Sequence, residues 1–482
     1  MNTDFDLLII GAGLSGIGMA CQIQREFPDK RITILERRNN LGGTWDLFRY
    51  PGIRSDSDMF TFGYKFRPWN ALKVLADGPS IRKYIGDTAR EFGVDQKIQY
   101  GIKVTSANWS TKESRWTLEA VHEATGEKRR YTSNFLLSCT GYFNHDQGFL
   151  PRFPGAERFK GQCIHPQQWP EDLDYSGKKV VIIGSGATAV TLVPAMAGTA
   201  AHVTMLQRSP TYIFSVPALD TLSRFLTKFL PSQWVFSFAR KRNIALQRWI
   251  YNACRRWPNF MRGVLLRQAR KHLGENFDMS HFTPKYMPWD ERLCAVPNAD
   301  LFEVMKSGRA SVVTDQIETF TENGIQLKSG KTLDADIIVA ATGLQLQMLG
   351  GMQLRVNGRA MPMHEQMTYK SVLLQDTPNF AYVFGYTNAS WTLKVDIAAA
   401  YLIRLFRYMK WRNVDVVTPH DDEDSSLGTG MLDSLQSGYV QRGRNVMPRQ
   451  GDKLPWRVLM NYQRDKQMLV EEAIDDGVLL FG

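Results

Sequence analysis

A largely apolar run, Phe5 to Ile10, leads into the glycine turn Gly11-Ala12-Gly13-Leu14-Ser15-Gly16 and a helical pattern from Gly16 to Phe27. The apolar run Ile32 to Leu35 comes next, so the hydrophobic period passes from strand to helix and back. The same order returns downstream: Lys179 to Ile183, the turn Gly184-Ser185-Gly186-Ala187-Thr188-Ala189, a helix from Thr188 to Met196 and a strand from His202 to Leu206. Between these units, alternating segments at 98–109, 115–121 and 129–138 predict an antiparallel meander with turns near Lys112 and Gly126. Further on, a buried strand ends in Ala341-Thr342-Gly343, and a helix is expected from Val395 to Tyr408. The pattern predicts an α/β chain with two Rossmann-like dinucleotide-binding domains and a helical insertion.

One Gly-x-Gly-x-x-Gly turn is a weak signal. Two, each after a strand and before a helix, point to two dinucleotides. Glycines let the backbone approach a pyrophosphate, which sits at the helix N-terminus where free N–H groups and the helix dipole favour an anion. The residues just after the second strand of each unit distinguish the two sites. Glu36 ends the first unit, and a carboxylate there can accept hydrogen bonds from a ribose hydroxyl pair. Gln207-Arg208-Ser209 ends the second, where a carboxylate would repel a 2′-phosphate and a guanidinium can pair with it. FAD is therefore assigned to the first site and NADPH to the second. On this reading residues 1–145 and 344–482 form the FAD-binding domain, 146–213 and 289–343 the NADP-binding domain, and 214–288 a basic helical insertion.

A chain of 482 residues with a 43% apolar and 22% charged composition is long enough for two or three globular domains. Its net charge of +11 is concentrated: residues 221–274 hold twelve Lys and Arg and no Asp or Glu, leaving the remainder near neutral. Apolar residues recur there at helical spacing, as in Phe225 and Phe229, Trp234 and Phe238, and Ala245, Trp249 and Ala253. Two readings stand side by side: helices that wall the active site, and a peripheral contact with anionic lipid. No nucleic-acid-binding module accompanies the charge, so nucleic acid is not expected as a partner. The first strand starts too early for a secretion signal and no apolar run reaches the roughly 18 residues of a spanning helix, so a cytoplasmic location is expected. The five cysteines (Cys21, Cys139, Cys163, Cys254, Cys294) form no Cys-x-x-Cys and no metal spacing. Buried free thiols and no metal are expected, and a disulfide reductase is disfavoured.

Two longer patterns carry a family resemblance. Phe159-x-Gly161-x-x-x-His165-x-x-x-Trp169-Pro170 resembles the fingerprint of the type I Baeyer–Villiger monooxygenases. Gly42-Gly43-Thr44-Trp45, then Tyr50-Pro51-Gly52, then Asp56 resembles their second signature, and residues 49–58 look like the ethionamide-activating branch. This resemblance spans the chain and implies an FAD- and NADPH-dependent enzyme. Through a C4a-peroxyflavin it would insert one oxygen atom of O2 into ketones to give esters, and would also oxidise sulfides or thioamides. The alternative is a flavin-containing monooxygenase restricted to nitrogen or sulfur, which fits Trp169-Pro170 less well. Arg292 matches the family's catalytic arginine and Asp56 the acid that holds it. His165, with Phe159, Gly161 and Trp169, would couple domain orientation to NADPH binding. Thr342 and Gly343 would lie against cofactor where the chain returns to the FAD domain. Phe60, Phe62, Trp289 and Trp391 are candidates for the pocket wall. One residue departs from the family: Glu291 stands where relatives acting on cyclic ketones often have Lys, which leaves more of the phosphate recognition to Arg208.

Overall fold

Phe5–Ile10 forms the centre of a parallel sheet because alternate side chains find apolar cover on both faces. Leu7 and Ile9 pack into one core with Ile34 and Leu137, and Leu8 and Ile10 into another with Leu35 and Leu136. In the computed structural model, which describes residues 3–69, 71–432 and 437–482, this strand lies between Ile32–Leu35 and the end of Lys128–Ser138, parallel to both. Lys128–Ser138 serves two arrangements. Its first half is antiparallel to Arg115–His122 and continues the meander with Ile102–Ser110, while its second half joins the parallel sheet beside Phe380–Tyr382. The segment expected as one strand from Ile98 to Trp109 is broken. Ile98–Gln99 pairs with Ile34 and Leu35, and the chain turns at Gly101, whose φ of +71° favours glycine.

The second sheet is parallel throughout, in the order Ala310–Thr314, His202–Gln207, Lys179–Ile183, Ile337–Ala340, Gln162–Ile164. Its edge strand belongs to the fingerprint segment. Val180 and Ile182 face one core, Val181 and Ile183 another. Two strands connect the sheets: Phe143–Gly148 leads out of the first, and Leu344–Leu346 returns antiparallel to it.

The insertion is helical over Thr221–Leu226, Ser232–Arg256 and Pro258–Leu273. Its expected start at residue 214 is instead strand, since Ile213–Val216 pairs in parallel with Cys294–Pro297. Arg240 ties the long helix to the first domain. Buried, it donates to the carbonyls of Phe60 (3.0 Å) and Gly63 (2.6 Å) and to Asp396 Oδ2 (2.7 Å). The helix expected from Val395 to Tyr408 runs longer, Trp391–Arg412, and packs on Leu14–Glu26. Four cysteines are buried, but Cys163 is exposed because its strand is the sheet edge. Among the described residues no helix is long and apolar enough to cross a membrane.

Candidate active site between the two glycine turns

The helix Leu14–Glu26 starts at Gly13 with no side-chain cap and no acid in its first turn. Its first N–H groups thus have no side-chain acceptor, an arrangement suited to an anion. The turn excludes side chains. Gly11 has φ +99° and a Cβ there would come within 2.7 Å of the Cys139 carbonyl oxygen, while one on Gly16 would collide with the Gly11 carbonyl. Glu36 closes the unit, buried, with Oε2 accepting the Ala12 N–H (2.7 Å) and Oε1 the Arg38 N–H (2.9 Å). Burial pushes its carboxyl up, and these two bonds pull it back.

Gly11, Gly13, Leu14, Ser15 and Glu36 line one cavity. Gly43, Thr44, Trp45 and Asp56 line it too, and Arg292 joins them from the far side of the sequence. Gly16 is absent from its wall because it packs beneath the turn. The Arg292 Nε donates to the Thr387 carbonyl (3.1 Å), while Asp56 is exposed. Both charges act on the buried Cys294: burial pushes that thiol up to about 12, Asp56 adds to the shift and Arg292 opposes it.

The second turn repeats the first on the protein surface. Gly184 has φ +141°, with a Cβ there colliding with the Ala341 carbonyl. Gly186 starts the helix Ala187–Met196 with no side-chain cap and no acid in its first turn. Gly186 and Ala187 are exposed and Thr188 is half-buried. The Ser185 hydroxyl donates to the Ser209 carbonyl (3.0 Å), which fixes the strand end carrying exposed Arg208 beside the turn. Glu291 lies within reach of the same guanidinium. Its carboxyl is pushed up by burial and drawn down by Arg208.

Between the turns, the signature loop joins both domains. Gly43 to Trp45 line the first cavity, yet Phe48 and Tyr50 are buried in the core of the second sheet. Tyr50 sets its hydroxyl against Thr188 of the second turn. Gly52 permits the approach, since a Cβ there, already at φ +76°, would stand 2.7 Å from the Ala195 methyl. The fingerprint histidine occupies the chain crossings. His165 Nδ1 accepts the Gln167 N–H (3.2 Å), which leaves Nε2–H to donate to the Gly343 carbonyl (3.1 Å). Its ring also packs so closely on Gly148 that any Cβ there would collide with it. Phe159 meets Phe320 edge-on, a Cβ on Gly161 would strike the Asp336 carbonyl, and Trp169 packs on the second core.

Thr342 and Gly343 belong to this crossing and not to the cavity wall. The Thr342 hydroxyl donates to the Phe149 carbonyl (2.6 Å), and Gly343 receives His165. Of the aromatic wall candidates, Phe62 and Trp391 line the cavity. Phe60 turns to Phe236 and Ala239 of the insertion, and Trp289 packs edge-on against Tyr251. Trp391 does more than fill space. Its Nε1–H donates to the Ser15 hydroxyl (2.7 Å), and its indole stacks on Tyr142 at 5.4 Å and 10°. Only its indole donor and the distant Ser15 acceptor hint at this contact in the sequence.

Comparison with known proteins identifies the family and the fold. Residues 72–350 match the flavin-binding monooxygenase-like family, and residues 9–76 an NAD(P)-binding Rossmann-like domain. MymA of Mycobacterium tuberculosis, whose name assigns it by inference to the FAD-containing monooxygenases, is 66% identical across all of this chain and 98% of its own. The FAD-containing monooxygenase EthA of Mycolicibacterium smegmatis is 50% identical over the same shares. Among solved structures, an oxidized steroid monooxygenase bound to NADP has a TM-score of 0.78 at 20% identity, with 99% of each chain covered. OTEMO in complex with FAD and NADP has a TM-score of 0.77 at 20% identity, with 100% of each covered, and both show the same fold. With relatives of this identity along its whole length, the chain belongs to the flavin-binding monooxygenase-like family of enzymes.

Proposed function

We propose that this enzyme binds FAD at the first glycine turn and NADPH at the second, and inserts one oxygen atom of O2 into ketones to give esters, also oxidising sulfides or thioamides. The observation that carries the reading is the position of Arg292, a permanent cation in the wall of the cavity formed by the first glycine turn and the signature loop. The cavity fits FAD on its own terms: an uncapped helix start, glycines with no room for a Cβ, and a buried carboxylate facing it.

Bound FAD supplies the redox chemistry, drawing hydride from NADPH and activating O2. The protein supplies positions and charge. Backbone N–H groups from Gly13 to Ser15 hold the pyrophosphate, and Glu36 the ribose. Gly43, Thr44 and Trp45 close over the cofactor, while Trp391 and Tyr142 exclude water from one side. Arg292 stabilises negative charge on the reacting oxygen without giving up a proton, and Asp56 restrains the cation. Gly184 to Thr188 cradle the second pyrophosphate, with Arg208 and Ser209 at the 2′-phosphate.

The direct test supplies labelled O2 and NADPH with a ketone and, separately, a thioether. Labelled ester and labelled sulfoxide are expected. Sulfoxide alone would favour the enzyme class restricted to nitrogen and sulfur.

Arg208→Ala should raise the KM for NADPH about 10- to 100-fold, the equivalent of one charge-assisted bond of roughly 1.5–3 kcal/mol, and leave NADH use unchanged. Equal effects on both nucleotides would remove Arg208 from the 2′-phosphate. His165→Ala should still oxidise NADPH but form less product per NADPH, because both crossings lose their shared anchor. Unchanged coupling would reduce His165 to packing.

A further inference from the structure

The long insertion helix buries one face and leaves large aromatic side chains on the opposite one. Phe236, Ala239 and Arg240 point into the protein. Trp234, Phe238, Ala245 and Trp249, spaced four, seven and four residues apart, fall within about 60° of each other on the outer face. Trp234 is 68% exposed and Trp249 59%, and Phe229, just before the helix, is 71% exposed and packs on Phe225. Scattered exposed apolar residues need no explanation, but an aromatic stripe along a helix face does.

Charge identifies the partner. Arg240 and Arg255 are engaged with Asp396 and Asp290 outside the insertion, and Arg242 with Asp220, which caps the insertion's first helix. Lys241 and Arg248 flank the stripe, and Arg224, Lys228 and Arg256 extend the cationic surface; all five are exposed, within a segment that contains no acid. An apolar ligand or a neutral protein face would leave these cations without purpose. A surface that offers both acyl chains and fixed negative charge satisfies both halves of the pattern.

We propose that residues 221–256 dock the enzyme on anionic lipid bilayers, with Phe229, Trp234, Phe238 and Trp249 entering the headgroup region and the flanking Lys and Arg facing the phosphates. Contact is peripheral, since among the described residues no helix is long and apolar enough to cross a bilayer.

The test floats the purified, FAD-loaded protein with vesicles of phosphatidylcholine alone or of equal parts phosphatidylglycerol and phosphatidylcholine. Recovery with the anionic vesicles should exceed that with neutral ones about tenfold and fall as salt shortens the Debye length from about 10 Å at 0.1 M to about 3 Å at 1 M. Trp234→Ala/Phe238→Ala/Trp249→Ala should lose vesicle recovery by a similar factor while keeping its FAD and its turnover of a water-soluble ketone. Lys241→Glu/Arg248→Glu should lose the preference for anionic vesicles. Absence of flotation, equal recovery with both vesicles, or full binding by the triple variant would each overturn the proposal. So would a stripe that serves self-association: a doubled mass in sedimentation velocity that reverts to the monomer in the triple variant, without vesicle binding.

Discussion

Arg292→Ala is expected to keep FAD and to accept hydride from NADPH, yet to form oxygenated product about 10²–10³-fold more slowly. Cofactor retention is expected from where the binding groups are. The uncapped helix start, Glu36 and the signature loop contact the cavity independently of residue 292. The loss should be confined to oxygen transfer, the step in which the proposed reaction concentrates negative charge on the reacting atom. A guanidinium suits that task because it remains charged at any working pH and is fixed here by its bond to the Thr387 carbonyl. Arg292→Lys keeps the charge but loses the Nε donor, so partial recovery is expected. Rapid-mixing kinetics separates the two half-reactions. Slow reduction in the alanine variant would assign Arg292 to NADPH binding, and normal product formation would remove it from the mechanism.

Arg240→Ala should produce the largest loss of stability, about 3–5 kcal/mol, seen as a lower denaturation midpoint and early release of the insertion. The side chain is buried and bonds three backbone carbonyls, those of Phe60, Thr61 and Gly63, and the Asp396 carboxylate. Its removal leaves buried acceptors without donors and Asp396 without its cation. Burial already pushes the Asp396 carboxyl up to about 6 with Arg240 beside it. A raised acid pKa means that the folded state favours the protonated form. Its stabilisation is therefore present at low pH and is lost as pH rises through the folded value. The penalty of Arg240→Ala should accordingly be larger above about pH 7 than below about pH 5. Asp396→Asn on the alanine background should restore part of the stability at neutral pH. A pH-independent loss would mean that carbonyl hydrogen bonds alone matter.

How legible the site was depends on how local each feature is. Strand, glycine turn and helix lie within a few residues of one another, so both nucleotide units and the contrast between Glu36 and Arg208 could be read from neighbours. The crossings could not. His165 touches Gly148 and Gly343, residues whose proximity exists only once two strands pair antiparallel. Thr342 and Gly343 end a buried strand, and such an ending looks the same in sequence whether it faces a cofactor or a linker. The Trp391–Ser15 hydrogen bond spans 376 residues and leaves no periodic trace. The signature loop misleads for a related reason. Its glycine and proline content signals an ordered loop but hides the division of labour, with Trp45 lining one cavity and Tyr50 buried in the other domain's core.

A cation fixed in the cofactor cavity is proposed to direct activated oxygen onto an electrophilic carbon. The decisive quantity is the amount of ester formed per NADPH oxidised, measured on purified protein with a ketone in excess. Yellow, flavin-loaded protein and a ratio approaching unity are expected, with the ratio collapsing in Arg292→Ala while NADPH oxidation continues. Colourless protein, or NADPH oxidation that yields only hydrogen peroxide with every carbonyl compound offered, would contradict this role for the cation.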